Sequence, residues 1–185
     1  LVIIPIVNIP GYEAECSQNP MDKKFPKYIF PGKSDGLPTE RLMDWLATNY
    51  VAQANCWYDL HSGAITEGLQ PFIWLHGTGV PGVDFLSDQM AQRVQAEVVV
   101  FEKAHFGSKP ARLAKQHCVY MLAESGARGG RLGLDVDRHL AWVQTAMQVL
   151  GMIPREESTA TTSKTVLRHV AYSAAPFDGI WRPTD

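Results

Sequence analysis

The sequence is poor in the features that define several large protein classes. Its 185 residues contain only three cysteines, Cys16, Cys56 and Cys118, far apart and outside any Cys-x-x-Cys pattern. This argues against a disulfide framework or a cysteine zinc site, and favours a reducing compartment. The formal net charge is −2, without a long run of like charges, so nothing indicates nucleic-acid binding. The apolar run at residues 1–7 is too short to cross a membrane, and we expect a cytoplasmic protein.

Two common catalytic motifs are also missing. No Gly-x-Ser-x-Gly occurs in the sequence, which argues against a serine hydrolase of the nucleophile-elbow type. The glycine-rich stretch at residues 126–133 has neither the Gly-x-Gly-x-x-Gly spacing nor a Gly-Lys-Ser/Thr sequence, so it does not predict a nucleotide site. Arg128 and Arg131 in this stretch are available to an anionic group, although solvated arginines are the simpler interpretation.

The pattern of apolar residues predicts an α/β protein. Hydrophobic residues make up 45% of the chain and charged residues 19%, which is the composition of a globular domain with a sizeable core. Short apolar runs alternate with helical periodicity, so we predict a mostly parallel, mixed central sheet flanked by helices. Strands are predicted at residues 1–7, 56–60, 71–75, 98–101, 118–123 and 165–171. Helices are predicted at residues 39–54, 84–97, 110–116 and 135–150, and a long ordered loop at residues 8–37.

Helical spacing also predicts which helix faces are buried. The expected inward residues are Leu42, Leu46, Tyr50 and Ala54 on the first helix, Phe85, Leu86, Met90 and Val94 on the second, and Leu140, Val143, Met147 and Leu150 on the last. His139, which lies on the last helix, is expected to face solvent.

A candidate metal ligand ends the second predicted strand. Because side chains alternate along a strand, Asp59 and His61 share a face. A histidine before Ser62-Gly63 can point its imidazole into a crevice, where it would be a good zinc ligand with a carboxylate to orient it. The simpler alternative is a hydrogen-bonded histidine at a strand end.

Glu124 ends another apolar strand and is a candidate acid–base residue. A carboxylate at this position is costly to bury unless it is paired or functional. Partial burial raises the pKa of a glutamate and suits it to proton transfer. The alternative is a partly exposed acid that caps the next turn.

Taken in order, these pieces resemble the succinylglutamate desuccinylase/aspartoacylase family, within the broader zinc-carboxypeptidase fold. The matching pieces are Pro5-Ile-Val-Asn8, Phe30-Pro31-Gly32, Thr39-Glu40-Arg41, the Asp59–Gly63 segment, Glu124-Ser125-Gly126 and the helix end at Leu150-Gly151-Met152. The resemblance covers roughly residues 1–155, expected to be a zinc-hydrolase-like domain without its N-terminal part. Residues 156–185 are expected to be a linker and the start of a small β-rich domain, so the chain looks truncated at both ends.

The resemblance implies a zinc-dependent hydrolase that cleaves an acyl-amide bond. In this family one zinc ion is held by a His-x-x-Glu pair and a later histidine, which corresponds to His61. Glu124 corresponds to the residue that takes a proton from the zinc-bound water and delivers it to the leaving amine. The sequence contains no His-x-x-Glu, so two ligands are expected N-terminal to this chain, and this piece alone is expected to bind zinc weakly.

The substrate-binding residues differ from the family pattern. Lys27-Tyr28 replaces an Asn-Arg pair before Phe-Pro-Gly, and a lysine supplies charge without a bidentate fork. With Arg128, these two are the predicted substrate-binding residues. The expected substrate is an N-acyl amino acid or similar small molecule other than N-acetylaspartate or succinylglutamate. The expected partners are this substrate and, in a homo-oligomer, further copies of the chain.

Two alternatives remain open at this stage. The first is a non-catalytic binding or assembly member of the same family, which the Lys27-Tyr28 replacement favours and the retained His61 and Glu124 oppose. The second is a metallocarboxypeptidase on the same fold, which would need a basic clamp for a C-terminal carboxylate.

Overall fold

A computed structural model describes residues 1–130, 132–155 and 163–168 of the chain. Two short helices, α1 (Ile9–Glu13) and α2 (Pro26–Ile29), interrupt the predicted long loop. The remaining helices are α3 (Pro38–Asn49), α4 (Pro81–Arg93), α5 (Lys109–Ala114) and α6 (Gly133–Val149), and one turn of 3₁₀ helix lies at Val51–Gln53. The strands are β1 (Cys56–His61), β2 (Phe72–Gly77), β3 (Val98–Lys103), β4 (Val119–Glu124) and β5 (Thr165–Leu167).

The five strands form one mixed sheet in the order β1-β4-β2-β3-β5. The pairs β1/β4, β2/β3 and β3/β5 are parallel, whereas β2 and β4 are antiparallel. This confirms the predicted mostly parallel, mixed sheet. Because of the antiparallel pair, the carboxyl ends of β1 and β4 lie together at one edge of the sheet, and those of β2 and β3 lie at the opposite edge.

Both faces of the sheet are covered. One face, with the buried side chains of Ile73 and Met121 at its centre, packs against Met90 of α4 and Trp142 of α6. The other face carries Tyr120 and Leu122 of β4. It packs against Met43 and Leu46 of α3 and Leu113 of α5. Alternation along β4 sends successive side chains into the two clusters, and the candidate site residues described below lie on the second face.

The strand predicted at residues 1–7 is wrong. These residues form neither strand nor helix, and Leu1 is 74% exposed. An apolar run becomes a strand only when another strand pairs with it, and none of the described strands does so. Pro5 also lacks a backbone N–H to donate to a neighbour.

Two helices bury only part of their predicted faces: Leu46, Met90 and Val94 are buried as predicted, and other residues are not. On α3 the buried residues are Thr39, Met43 and Leu46, so the inward face is centred on Met43 instead of Leu42. On α4 they are Val83, Ser87 and Met90, whereas Phe85 is 63% exposed. Each helix carries more apolar positions than one face can hold, so packing against the sheet decides which are covered.

The predicted face of α6 is only partly confirmed, because Val143, Met147 and Leu150 are half-buried. The buried residues are Trp142, Ala146 and Val149, whereas Leu140 is 55% exposed. The indole of Trp142 removes more apolar area from water than a leucine can, which favours the rotation of the helix that buries it.

The predicted strand at residues 165–171 is present as β5, which ends at Leu167, and residues 169–171 lie outside the described residues. The predicted linker and β-rich tail at residues 156–185 fall largely outside them too. None of the described helices combines the length and the apolar character that a bilayer crossing requires.

Candidate active site

The two strand-end residues singled out by sequence lie side by side. His61 and Glu124 are the last residues of β1 and β4 and are register partners in this parallel pair. The Nδ1 atom of His61 lies 3.6 Å from Oε1 of Glu124. The structure therefore brings the predicted metal ligand and the predicted acid–base residue to one point at the edge of the sheet.

Asp59 faces the other nitrogen of the same ring. Its Oδ1 atom lies 3.3 Å from Nε2 of His61, because residues two apart on β1 share a face of the sheet. The imidazole of His61 is thus bracketed by two carboxylates, one from its own strand and one from β4. This geometry fixes the plane of the ring and supports the predicted orienting role of Asp59.

Asp59 has two further partners that sequence reasoning missed. The hydroxyl of Tyr120 donates to Oδ2 of Asp59 at 2.6 Å, and Nζ of Lys109 lies 3.5 Å from the same oxygen. Strand alternation could have indicated Tyr120, which shares a face of β4 with Glu124. No local pattern indicates Lys109, because it reaches Asp59 from the first turn of α5.

The two carboxyl groups have opposite pKa shifts. Burial alone would raise the pKa of Asp59, but the contacts with His61, Lys109 and Tyr120 outweigh it and lower this pKa to about 2. The pKa of Glu124 is raised, because the effect of burial is larger than the opposing effect of the charges of His61 and Lys27. Asp59 is therefore an anion near neutral pH, whereas Glu124 has the raised pKa that suits a residue which accepts and releases a proton.

The loops that follow β1 and β4 are tied to each other. The backbone N–H of Gly63 donates to the carbonyl of Gly126 at 2.8 Å, and that of Ser125 donates to the carbonyl of His61 at 3.2 Å. Gly126 has a φ of +101°, a conformation that other residues rarely adopt. These bonds hold the ends of the two strands, and hence His61 and Glu124, in register.

The α6 helix supports these loops from behind. The hydroxyl of Ser125 donates to Asp135 at 2.9 Å, and Nε2 of His139 donates to the carbonyl of His61 at 3.0 Å. The prediction that His139 faces solvent is therefore wrong. The ring is half-buried against Trp142, because α6 is rotated to bury that indole, and burial lowers the pKa of His139.

The predicted substrate-binding residues lie at different distances from this centre. Lys27, on α2, is close enough for its charge to lower the pKa of Glu124, and its Nζ lies 5.9 Å from the centre of the Tyr28 ring. Tyr28 and Arg128 are exposed. The backbone N–H of Arg128 donates to the carbonyl of Glu67, which anchors its loop without directing its side chain. Arg131 lies outside the described residues.

The described residues do not supply a complete zinc site. They contain no group of three or more histidine, cysteine, aspartate or glutamate side chains that could hold a metal ion. His61 offers one imidazole, and both of its nitrogens face carboxylates. One imidazole suits zinc as a ligand, but a zinc site in a protein uses at least three protein ligands.

Comparison with known proteins gives one sequence relative and several structural ones. No family model matches the sequence. A 76-residue stretch is 34% identical to the N-alpha-acetyl-L-2,4-diaminobutyric acid deacetylase of Halomonas elongata. The match covers 41% of this chain and 22% of that protein.

The fold is found in solved structures of larger proteins. The succinylglutamate desuccinylase/aspartoacylase of Rhodobacter sphaeroides matches with a TM-score of 0.74 at 19% identity, over 90% of this chain and 51% of that one. The product-bound ectoine utilization protein EutE (DoeB) of Ruegeria pomeroyi matches with a TM-score of 0.73 at 20% identity, over 89% of this chain and 51% of that one. This chain thus spans about half the length of these proteins. The predicted resemblance is confirmed in the architecture: the chain has the mixed α/β fold of the succinylglutamate desuccinylase/aspartoacylase family.

Proposed function

We propose that this chain carries the proton-transfer part of an active site that hydrolyses a linear acyl-amide bond in a small molecule. The observation that carries the proposal is the placement of Glu124, whose carboxylate has a raised pKa and lies 3.6 Å from the His61 ring at the ends of two paired strands. The sequence relative is named as a deacetylase of an N-acetylated amino acid, which supports the same class of reaction.

Glu124 would act as base and then as acid. Its carboxylate takes a proton from the attacking water, the water oxygen bonds to the acyl carbon, and the same proton passes to the amide nitrogen as the carbon–nitrogen bond breaks. The products are a carboxylic acid and an amine, which near neutral pH become a carboxylate and an ammonium ion when the acid proton passes to the amine. A raised pKa favours this cycle, because the group must accept a proton in one step and release it in the next near neutral pH.

Zinc belongs to this proposal as the cofactor, with His61 as one ligand. The contact between Asp59 and His61 supports this role, since metal-binding histidines are usually oriented by a carboxylate on the far ring nitrogen. The remaining ligands would come from residues other than those described.

We further propose that Lys27 selects for substrates with a negative charge. Its ammonium is exposed and within electrostatic range of Glu124, where it can attract the carboxylate of an N-acyl amino acid. Two further residues would contact the substrate beside Lys27. These are Tyr28, its neighbour on α2, and Arg128, on the loop after β4.

The proposal is tested on zinc-loaded protein that includes the remaining zinc ligands, by replacing Glu124 with glutamine and measuring the release of free amine from a panel of N-acyl amino acids, including N-α-acetyl-2,4-diaminobutyrate. We expect Glu124→Gln to lower kcat by about 100-fold or more, the usual range for a lost acid–base group. The matched control is Glu102→Gln, which changes a half-buried glutamate on β3, away from His61. An equal loss in both variants would contradict the proposal.

A non-catalytic binding member is the second candidate. The incomplete metal-ligand group of the described residues favours it. In that case the unaltered protein would bind a panel compound, seen by calorimetry, without releasing amine. Dipeptides in the same panel test the metallocarboxypeptidase alternative, because only that enzyme would release a C-terminal residue from them.

A further inference from the structure

Lys109 is a nearly buried lysine whose ammonium is enclosed by other side chains. The side chain is 14% exposed. Its Nζ lies 4.8 Å from the centre of the Trp57 ring and 5.1 Å from that of the Tyr120 ring. Burial lowers the pKa of Lys109, and the charge of Asp59 opposes that shift. Replacing a buried ion pair by apolar side chains is often neutral or stabilising, so stability alone does not explain a lysine at this position.

That explanation lies in the carboxylate of Asp59. Its Oδ2 atom is shared by the Tyr120 hydroxyl at 2.6 Å and the Lys109 ammonium at 3.5 Å, while its Oδ1 atom faces Nε2 of His61 at 3.3 Å. With one oxygen held by two donors, the carboxylate cannot rotate without breaking both contacts. The other oxygen is thereby kept on the imidazole.

We propose that Lys109 is a positioning residue that fixes the His61 ring through Asp59. Its ammonium lies against the Trp57 and Tyr120 rings. Through Asp59 it links α5 to His61 at the edge of the sheet. The orientation of His61 thus depends on a helix that carries none of the predicted catalytic residues. Any effect on activity rests on the proposed function, whereas the effect on the His61 ring does not.

Three substitutions separate charge from packing. Lys109→Met keeps an unbranched side chain of similar length but removes the charge, and Lys109→Arg keeps the charge. Lys115→Met is the matched control, because Lys115 is an exposed lysine just after the same helix. The first measurement is the ¹⁵N signals of the His61 ring at fixed neutral pH, assigned with a His61→Ala variant. The second is kcat and KM for amine release.

We expect Lys109→Met to shift the His61 ring signals and to lower kcat by about 10-fold or more, as for other residues that orient a site histidine. KM should stay within about twofold of its original value. Lys109→Arg should restore most of both properties, and Lys115→Met should change neither. A purely structural role would lower the melting temperature of Lys109→Met without shifting the ring signals.

Three results would overturn the proposal. Unchanged His61 signals in Lys109→Met would overturn it, and so would a higher KM with unchanged kcat, which would mean that Lys109 binds substrate directly. If Lys109→Met does not fold, Tyr120→Phe removes the other donor to the same oxygen of Asp59, and unchanged ring signals in that variant also overturn it. If the zinc-loaded protein without substitutions hydrolyses nothing in the panel, the proposed function fails, while the ring signals still decide the role of Lys109.

Discussion

Tyr58 and Tyr120 lie on the neighbouring strands β1 and β4 but in opposite chemical situations. The hydroxyl of Tyr120 donates to the Asp59 carboxylate. The hydroxyl of Tyr58 is buried on the other face of the sheet and has no hydrogen-bond partner in the described part of the chain. A buried hydroxyl without a partner carries a desolvation cost that a phenylalanine would not.

These environments predict opposite results for the same substitution. Tyr120→Phe should lower the free energy of unfolding by about 1.5–3 kcal/mol, the usual worth of a hydrogen bond to a charged group. Tyr58→Phe should leave it unchanged or raise it by up to about 1 kcal/mol, because only an unpartnered hydroxyl is removed. Urea denaturation measures both. If Tyr58→Phe proved as harmful as Tyr120→Phe, the Tyr58 hydroxyl would have to bond to water or to residues beyond those described.

At the scale of single residues, sequence predicted the positions that depend on a local pattern. The placement of His61 and Glu124 at strand ends was predictable because each follows an apolar run and precedes a glycine turn. Lys109 was not, since it lies 50 positions from Asp59 and reaches it only once α5 packs on β4. His139 was misjudged for a related reason, because its environment depends on how α6 is rotated.

At the scale of single elements, the first turn of α3 is capped by a residue from outside the helix. Its N-cap residue is Leu37, whose side chain has no acceptor atom. The carboxylate of Asp22 accepts instead from the backbone N–H and the hydroxyl of Thr39, both at 2.8 Å. This links the loop before α3 to the first turn of the helix. Partial burial raises the pKa of Asp22, but the hydrogen bonds from Thr39 and Lys24 have the larger, opposite effect. The net result is a pKa below the ordinary value.

Asp22→Ala should lower the free energy of unfolding by about 1 kcal/mol near neutral pH, the usual cost of losing an N-cap. The folded-state pKa lies below the unfolded value of about 3.9. The difference in the free energy of unfolding between the unaltered protein and Asp22→Ala is therefore largest above a pH of about 3.9. It disappears as the pH falls through the lower folded-state pKa. Urea denaturation across this range measures the difference. The exposed Asp88→Ala is the control, expected to change stability by less than about 0.5 kcal/mol, and a pH-independent difference for Asp22→Ala would contradict the capping role.

The helices also show what the periodicity of apolar residues does not predict, namely which helix face is buried. Their positions were predictable to within a few residues, but their inward faces only in part, since Met90 is buried as predicted whereas Phe85 and Leu140 are exposed. Sequence offered Leu140, Val143 and Met147 as one plausible stripe of α6, and the structure instead buries Trp142. The choice between two apolar stripes depends on the shape of the sheet beneath the helix, and that shape is set by residues far away in the sequence.

At the scale of the whole molecule, sequence predicted the mixed sheet but not its strand order. Parallel pairing of β1 with β4 joins residues about 60 positions apart. Contacts between residues so far apart in the sequence are not encoded by any local pattern. The zinc site remains a prediction, because the described strands bring one histidine, not three ligands, to the edge of the sheet.

We therefore expect the 185-residue chain, after dialysis, to hold well below one equivalent of zinc, since a single imidazole is not a site. Addition of EDTA should leave its melting temperature unchanged. Elemental analysis and a thermal melt check this, with His61→Ala compared against the exposed His105→Ala. Tight, stoichiometric zinc that is lost only in His61→Ala would contradict the expectation and would place the missing ligands elsewhere within this chain.

The strand order has a consequence for the durability of the site. β4 is hydrogen-bonded on both sides, to β1 and to β2, whereas β1 is the outermost strand of the described sheet. Amide hydrogen exchange should accordingly be slower in β4 than in β1, because an outer strand can open without disrupting the core. Glu124 thus stands on an interior strand and His61 on an outer one, so we expect the opening of β1 to limit the lifetime of their alignment.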